Sequence, residues 1–143
     1  MEEIKPVVLL KFDDDSQLDD TSFALYAEKR ISKTSENGAK VLRYPALSMT
    51  KLRNIYGLIT NIYTKINTKS DFEKYLPEIQ YLKVKMAYDA GRAQDRGEGI
   101  KSFLDETHLM KAIDYIKTYE QFLLYCRYAE SLVAYFVYYG GKD

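Results

Sequence analysis

The sequence predicts an all-α fold, a compact bundle of five to six helices. Three observations predict it. Apolar residues recur at three- and four-residue spacing along most of the chain after residue 20. Glycine and proline are scarce, 7 and 3 among 143 residues, so the chain has few breaks. Helix-starting and helix-stopping residues stand where the periodic stretches begin and end, as at Thr118-Tyr-Glu-Gln121, a capping-box pattern.

Taken in order, residues 1–20 carry seven acidic side chains against Lys5 and Lys11. The apolar patch Val7-Val8-Leu9-Leu10-Lys11-Phe12 has no evident partner strand, so residues 1–20 read as an acidic extension ahead of a helical domain at 21–143. Asp20 or Thr21 can cap a first helix to about Lys33, with Phe23, Tyr26, Ala27 and Ile31 on one face. Residues 34–47, with Asn37-Gly38 and Pro45, read as a connection. From Ser48, Leu52, Ile55, Tyr56, Ile59, Ile62, Tyr63 and Ile66 form one stripe on a helix of about 18 residues. A third helix runs from near Pro77 to Gly91. Ile79, Leu82, Met86 and Ala90 line one of its faces, and Tyr81, Val84 and Tyr88 the opposite one, which predicts a central helix packed on both sides. After Gly97 and Gly99 come two short helical stretches, 100–106 and 109–117. The last helix opens at Thr118 and runs to Tyr139, before Gly140-Gly141. It carries two stripes, Phe122, Cys126, Ala129, Val133 and Phe136 beside Tyr125, Tyr128, Leu132, Tyr135 and Tyr139.

Charge narrows the function. Lys+Arg and Asp+Glu are each 21, so the chain is formally neutral and is no general polycation. The neutrality conceals an acidic residue 1–20 segment on a body with a net charge of +5. A single cysteine, Cys126, and a single histidine, His108, allow no intrachain disulfide and no Cys/His zinc site. With no long apolar run and an acidic start, the chain is expected to be soluble and cytoplasmic, with no membrane partner.

Catalytic chemistry has little to work with. His108 stands at the start of a short helix, where capping or exposure is the usual role, and Cys126 lies on a core stripe. Asp13-Asp14-Asp15 reads as a solvated acidic run, and Gly97-Glu98-Gly99 lacks the strand and Lys-Ser/Thr ending of a phosphate loop. No catalytic residue, metal site or cofactor is expected. The basic residues say more. Lys51 and Arg53 fall in the first turn of the second helix, where the dipole favours an anion. Lys83, Lys85, Arg92 and Arg96 cluster around the end of the third helix, either complementing its C-terminus or meeting phosphate. Arg127 lies on the polar strip of the last helix, open to pairing with Glu130. The stripe of Tyr125, Tyr128, Tyr135 and Tyr139 suits core or a subunit interface better than a base-stacking platform. From residues alone, these support a helical anion-binding or interaction module. A stand-alone helical homodimer or DNA-binding regulator is the competing class, although only Lys51, Arg53 and Asn54 approach a recognition helix.

Several segments resemble a known family. Tyr26-Ala-Glu-Lys-Arg-Ile31, Thr50-Lys-Leu-Arg53, Tyr81-Leu-Lys-Val-Lys85 and Tyr88-Asp-Ala-Gly-Arg92 are similar to the small helical subunit of the type III-A CRISPR effector, the Csm complex. So is Phe122-Leu-Leu-Tyr-Cys-Arg-Tyr128, continued through Leu132-Val-Ala-Tyr135 to Tyr139-Gly-Gly-Lys-Asp143, from about residue 21 onward. The resemblance implies a non-catalytic subunit stacked in a few copies along the guide-RNA filament. Its implied partners are the target RNA, neighbouring copies of itself, and the backbone and large Cas10-type subunits. Because base pairing reads the sequence in such an effector, this subunit would need only RNA backbone contacts. Lys51, Arg53, Lys83, Lys85, Arg92, Arg96 and Arg127 are the RNA-binding candidates, and the four tyrosines of the last helix the subunit-interface candidates.

Overall fold

The structure, a computed structural model, describes residues 7–12, 16–92 and 98–142, with the backbone alone at residue 98. Asp13-Asp14-Asp15 and Arg96 lie outside the described residues. Among the described residues, six α-helices and a 3₁₀ turn carry the fold: α1 Phe23–Ile31, α2 Met49–Tyr63, α3 Lys69–Lys74, α4 Leu76–Gly91, α5 Glu98–Thr107, the 3₁₀ turn Lys111–Tyr115 and α6 Tyr119–Tyr138. Two small antiparallel hairpins accompany them, β1 Leu9–Lys11 with β2 Gln17–Asp19 and β3 Ser32–Thr34 with β4 Lys40–Leu42.

The central helix is α6. Its buried side chains, from Phe122 to Phe136, face most of the way around its axis, and α1, α2, α3 and β1 all pack against it. The predicted capping box forms: Thr118 Oγ1 accepts from the Gln121 N–H at 3.1 Å, and Gln121 Oε1 from the Thr118 N–H at 3.1 Å. α4 is a flanking helix. Ile79, Leu82, Met86 and Ala90 are buried as expected, whereas Tyr81, Val84 and Tyr88 are 58%, 54% and 68% exposed, which corrects the expectation of a helix packed on both sides.

The apolar patch near residue 10 does have a partner strand. Leu10 pairs with Leu18, and Leu10, Phe12 and Leu18 are fully buried. Alternation explains it: residues 10 and 12 share one face of the strand, while Leu9 and Lys11 face outward. The Gln121 amide also reaches back to this strand, donating to the Leu9 carbonyl at 2.9 Å. The hairpin is thus packed into the helical core, a difference from the reading of residues 1–20 as an outlying extension.

The first helix ends at Ile31, two residues sooner than expected, because Ser32–Thr34 turns into β3. Asn37-Gly38 makes the hairpin turn, with Gly38 at φ 86 and the Ser35 N–H bonded to the Ala39 carbonyl at 2.7 Å. Residues 34–47 are therefore a hairpin plus a short link. α2 starts at the Ser48 cap as expected and stops at Tyr63, and α3 follows as a separate short helix capped by Thr68.

Two of the α6 tyrosines close a buried turn. Between α5 and the 3₁₀ turn the chain reverses at His108, which takes φ 62. Buried carbonyls in such a reversal need donors. The Tyr125 hydroxyl donates to the Leu109 carbonyl at 2.6 Å, and the Tyr128 hydroxyl to the Thr107 carbonyl at 2.7 Å. Burial pushes both phenols well above their ordinary range, so both stay neutral donors. Tyr128→Phe is expected to destabilise the protein by about 1–2 kcal/mol through the abandoned carbonyl. Urea unfolding of the purified variant measures it, and an unchanged midpoint would remove the turn-closing role.

After α6, Gly140 takes φ 92 and Gly141 donates to the Phe136 carbonyl at 2.8 Å, a left-handed helix stop. The Lys142 carbonyl then accepts from the Met49 N–H at 3.1 Å, tying the end of α6 to the start of α2.

Candidate nucleic-acid interface

The predicted basic residues separate into unlike groups. At the start of α2, Lys51 is half-buried and Arg53 is exposed. The helix's free N–H groups there are not open to a guest: Met49 donates to Lys142 and Lys51 to Ser48 Oγ at 3.1 Å. Lys65, just past α2, bridges Glu78 in the first turn of α4 at 3.5 Å, and the two helices pack against each other.

On α4, Lys83 is committed to Asp114 by an ion pair of 2.7 Å. Its neighbours present a different surface. The Lys85 ammonium lies 5.7 Å from the centroid of Tyr81, and the Arg92 guanidinium 5.3 Å from that of Tyr88. Arg92 also bonds Asp89 at 3.1 Å. The exposed face of α4 is thus a ribbon of two tyrosine–cation pairs around Val84. Arg127 is exposed on α6 beside a cavity of about 220 Å³ lined by Tyr56, Tyr63, Cys126 and Glu130. Burial first, and then the nearby Glu130 carboxylate, raise the Tyr56 phenol.

Of the four interface tyrosines, Tyr125 and Tyr128 are fully buried and held by the bonds described above, so the structure corrects their assignment. Tyr135 is half-buried against Tyr138 at 6.5 Å. Tyr139 is half-buried and donates to Glu28 at 2.6 Å. The exposed apolar surface at this end belongs to Val137 and Tyr138.

A cationic cleft escaped the sequence reading. The last turn of α1, the link after β4 and the last turn of α5 enclose about 620 Å³, with Lys29, Arg30 and Arg43 facing Asp105 and Glu106. Arg30 donates to the Tyr26 hydroxyl at 2.7 Å and lies over the same ring at 4.7 Å. Arg43 donates to the Ser32 and Lys29 carbonyls at 2.9 and 3.5 Å. Both guanidiniums are positioned by neutral acceptors, and Asp105 and Glu106 are the carboxylates that share the cleft with them. On the facing wall, the Tyr44 hydroxyl donates to Glu106 at 2.6 Å. Burial raises the Tyr44 phenol, Glu106 adds to the rise, and Arg43 and Arg30 oppose it. A smaller cavity of about 370 Å³ adjoins, sharing Arg43 and Tyr44 and adding Lys33. The available signal was Asn37-Gly38: read as a hairpin, it folds Arg43 back onto α1.

Among the described residues, no three His, Cys, Asp or Glu side chains gather to hold a metal ion. Burial pushes the Cys126 thiol far up, so it is a poor nucleophile. Among the described residues, no helix is long and apolar enough to cross a membrane.

The family model described as Csm2 Type III-A matches residues 26–142. Three similar proteins carry the name CRISPR system Cms protein Csm2. That of Enterococcus italicus is 33% identical over 132 residues, covering 87% of this chain and 91% of its own. That of Streptococcus thermophilus is 31% identical over 127 residues, covering 88% and 98%. That of Mycobacterium tuberculosis is 31% identical over 101 residues, covering 68% and 78%. With a matching model across most of the helical body, and relatives aligned over nearly their whole length, the chain belongs to the Csm2 family of type III-A CRISPR systems.

Proposed function

We propose that the protein is the non-catalytic small subunit of a type III-A CRISPR ribonucleoprotein of the cytoplasm, serving antiviral defence. Several copies stack along the guide-RNA filament, beside its backbone subunits and the large Cas10-type subunit, and hold target RNA by its backbone. Family membership supports the assembly. The observation that carries the RNA contact is the α4 ribbon, where two cations sit over two exposed tyrosines. An exposed row of cations and rings suits holding a strand by its backbone.

From the sequence-derived set, Arg53, Lys85 and Arg92 are the phosphate contacts: Lys83 is tied across to Asp114 on the 3₁₀ turn, whereas Arg92 meets only Asp89 of its own helix and is the more exposed of the two. One phosphate each gives a log–log salt slope of about −2 for a single strand. One subunit then holds RNA weakly, and aligned copies supply useful affinity. Lys85→Glu is expected to weaken binding of unrelated RNA sequences equally in fluorescence anisotropy, with native circular dichroism. Sequence-dependent losses would contradict backbone binding. Labelled RNA incubated with the protein and Mg²⁺ or Mn²⁺ is expected to stay intact, and cleavage abolished by a carboxylate variant would overturn the non-catalytic reading.

A further inference from the structure

We infer that the cleft between α1, β4 and α5 is a second RNA contact that takes one ribose–phosphate unit and distinguishes RNA from DNA. The inference rests on the proposed RNA-holding function and assigns it a site that the α4 ribbon does not include. About 620 Å³ lies within the size range of small-ligand pockets, roughly 300–1,000 Å³.

One wall is built for an anion. Lys29, Arg30 and Arg43 line it, and the two guanidiniums are fixed by a phenol and by backbone carbonyls. The ion pairs of Lys65, Lys83 and Arg92 all lie outside this cleft. With three cations against two carboxylates the cleft keeps a net positive charge, and guanidiniums held in place suit a phosphate. The aromatic rings at the cleft are already engaged with one another and with Arg30: Tyr26 lies 5.5 Å from Phe12, and Phe12 stacks on His108 at 5.1 Å. No base-stacking face is offered, so the recognised unit is the backbone.

The opposite wall says which backbone. Asp105 and Glu106 repel phosphate and accept hydrogen bonds, and Glu106 already takes one from Tyr44 on one oxygen. The backbone donor that answers a carboxylate is the ribose 2′-hydroxyl, which DNA lacks. An arginine wall facing an acidic wall thus admits phosphate and 2′-hydroxyl together.

The test measures anisotropy of one 12-nucleotide sequence as RNA and as DNA against the full chain and its Lys29→Gln, Arg43→Gln and Asp105→Asn variants. Circular dichroism checks each fold, and Lys29→Gln, at an exposed side chain, keeps the test alive if Arg43→Gln fails to fold. Losing one charge-assisted phosphate contact should weaken RNA binding by about tenfold. The parent should prefer RNA, and Asp105→Asn should bring the RNA-to-DNA ratio toward one. If Lys29→Gln and Arg43→Gln bind like the parent while Lys85→Glu does not, the strand is held on α4 alone and the cleft inference falls. An unchanged ratio in Asp105→Asn, or no RNA preference in the parent, overturns the ribose contact. If the parent binds neither strand, the RNA-holding function itself falls with it.

Discussion

Phe12→Ala is expected to cost about 3–5 kcal/mol of stability, read as a lower urea midpoint at unchanged m-value. Phe12 is fully buried, and its ring lies 5.1 Å from His108, 5.5 Å from Tyr26 and 5.9 Å from Tyr128. Those neighbours cannot collapse into the vacated space. Tyr128 is held by Thr107, and Tyr26 by Arg30. The expected loss is a large share of a typical domain stability of about 5–15 kcal/mol. Val7→Ala in the same segment, at a side chain 87% exposed, is the control and should leave the midpoint unchanged. If Phe12→Ala also leaves it unchanged, the hairpin lies outside the cooperative unit and the domain starts near residue 21.

Gly141→Ala is expected to destabilise by about 2–3 kcal/mol, through overpacking and not through a cavity. A Cβ at position 141 would stand 2.0 Å from a ring carbon of Phe136, whose side chain is fully buried. Neither partner can yield cheaply: the ring is enclosed, and the backbone is tied by Gly141 to Phe136 and by Lys142 to Met49. Calorimetry should show a fall in melting temperature of about 6–10 °C for a chain of this size. Gly57→Ala, at an exposed helical glycine whose Cβ would meet open space, is expected to do the reverse and stabilise slightly. Equal melting temperatures for Gly141→Ala and the parent would mean that the segment after α6 does not pack as described.

The helices were legible because each buries a stripe long enough to show its period. α2 and α6 repeat their apolar residues over four or more turns, and their caps at Ser48 and Thr118 use side-chain oxygens visible as residue types. The strands were not, because three residues hold too little alternation to detect. Gln17-Leu18-Asp19 offers one apolar residue, and its role appears only once Leu10 lies opposite. The outward Tyr81, Val84 and Tyr88 of α4 read in sequence as a second packed face, since periodicity shows that a face is apolar and not what covers it. The site suffered from the same limit. Lys83 finds Asp114 31 residues away, and Arg43 reaches α1 only through the β3–β4 turn. Both facts belong to tertiary structure. The Tyr-Gly-Gly-Lys ending, by contrast, was noticed as a motif, and its physical basis is the left-handed stop and the close approach to Phe136.

The Gln121-to-Leu9 bond joins residues 112 positions apart, and this separation has a consequence for biosynthesis. At about 5–20 residues per second, Leu10 and Phe12 wait roughly 6–20 s after their synthesis before the helix that shelters them exists. During that interval a short, sticky strand with an unpaired edge is exposed on the nascent chain. The acidic side chains crowded around it, Asp13-Asp14-Asp15 and Asp19-Asp20, keep such nascent segments apart by repulsion until α6 is made.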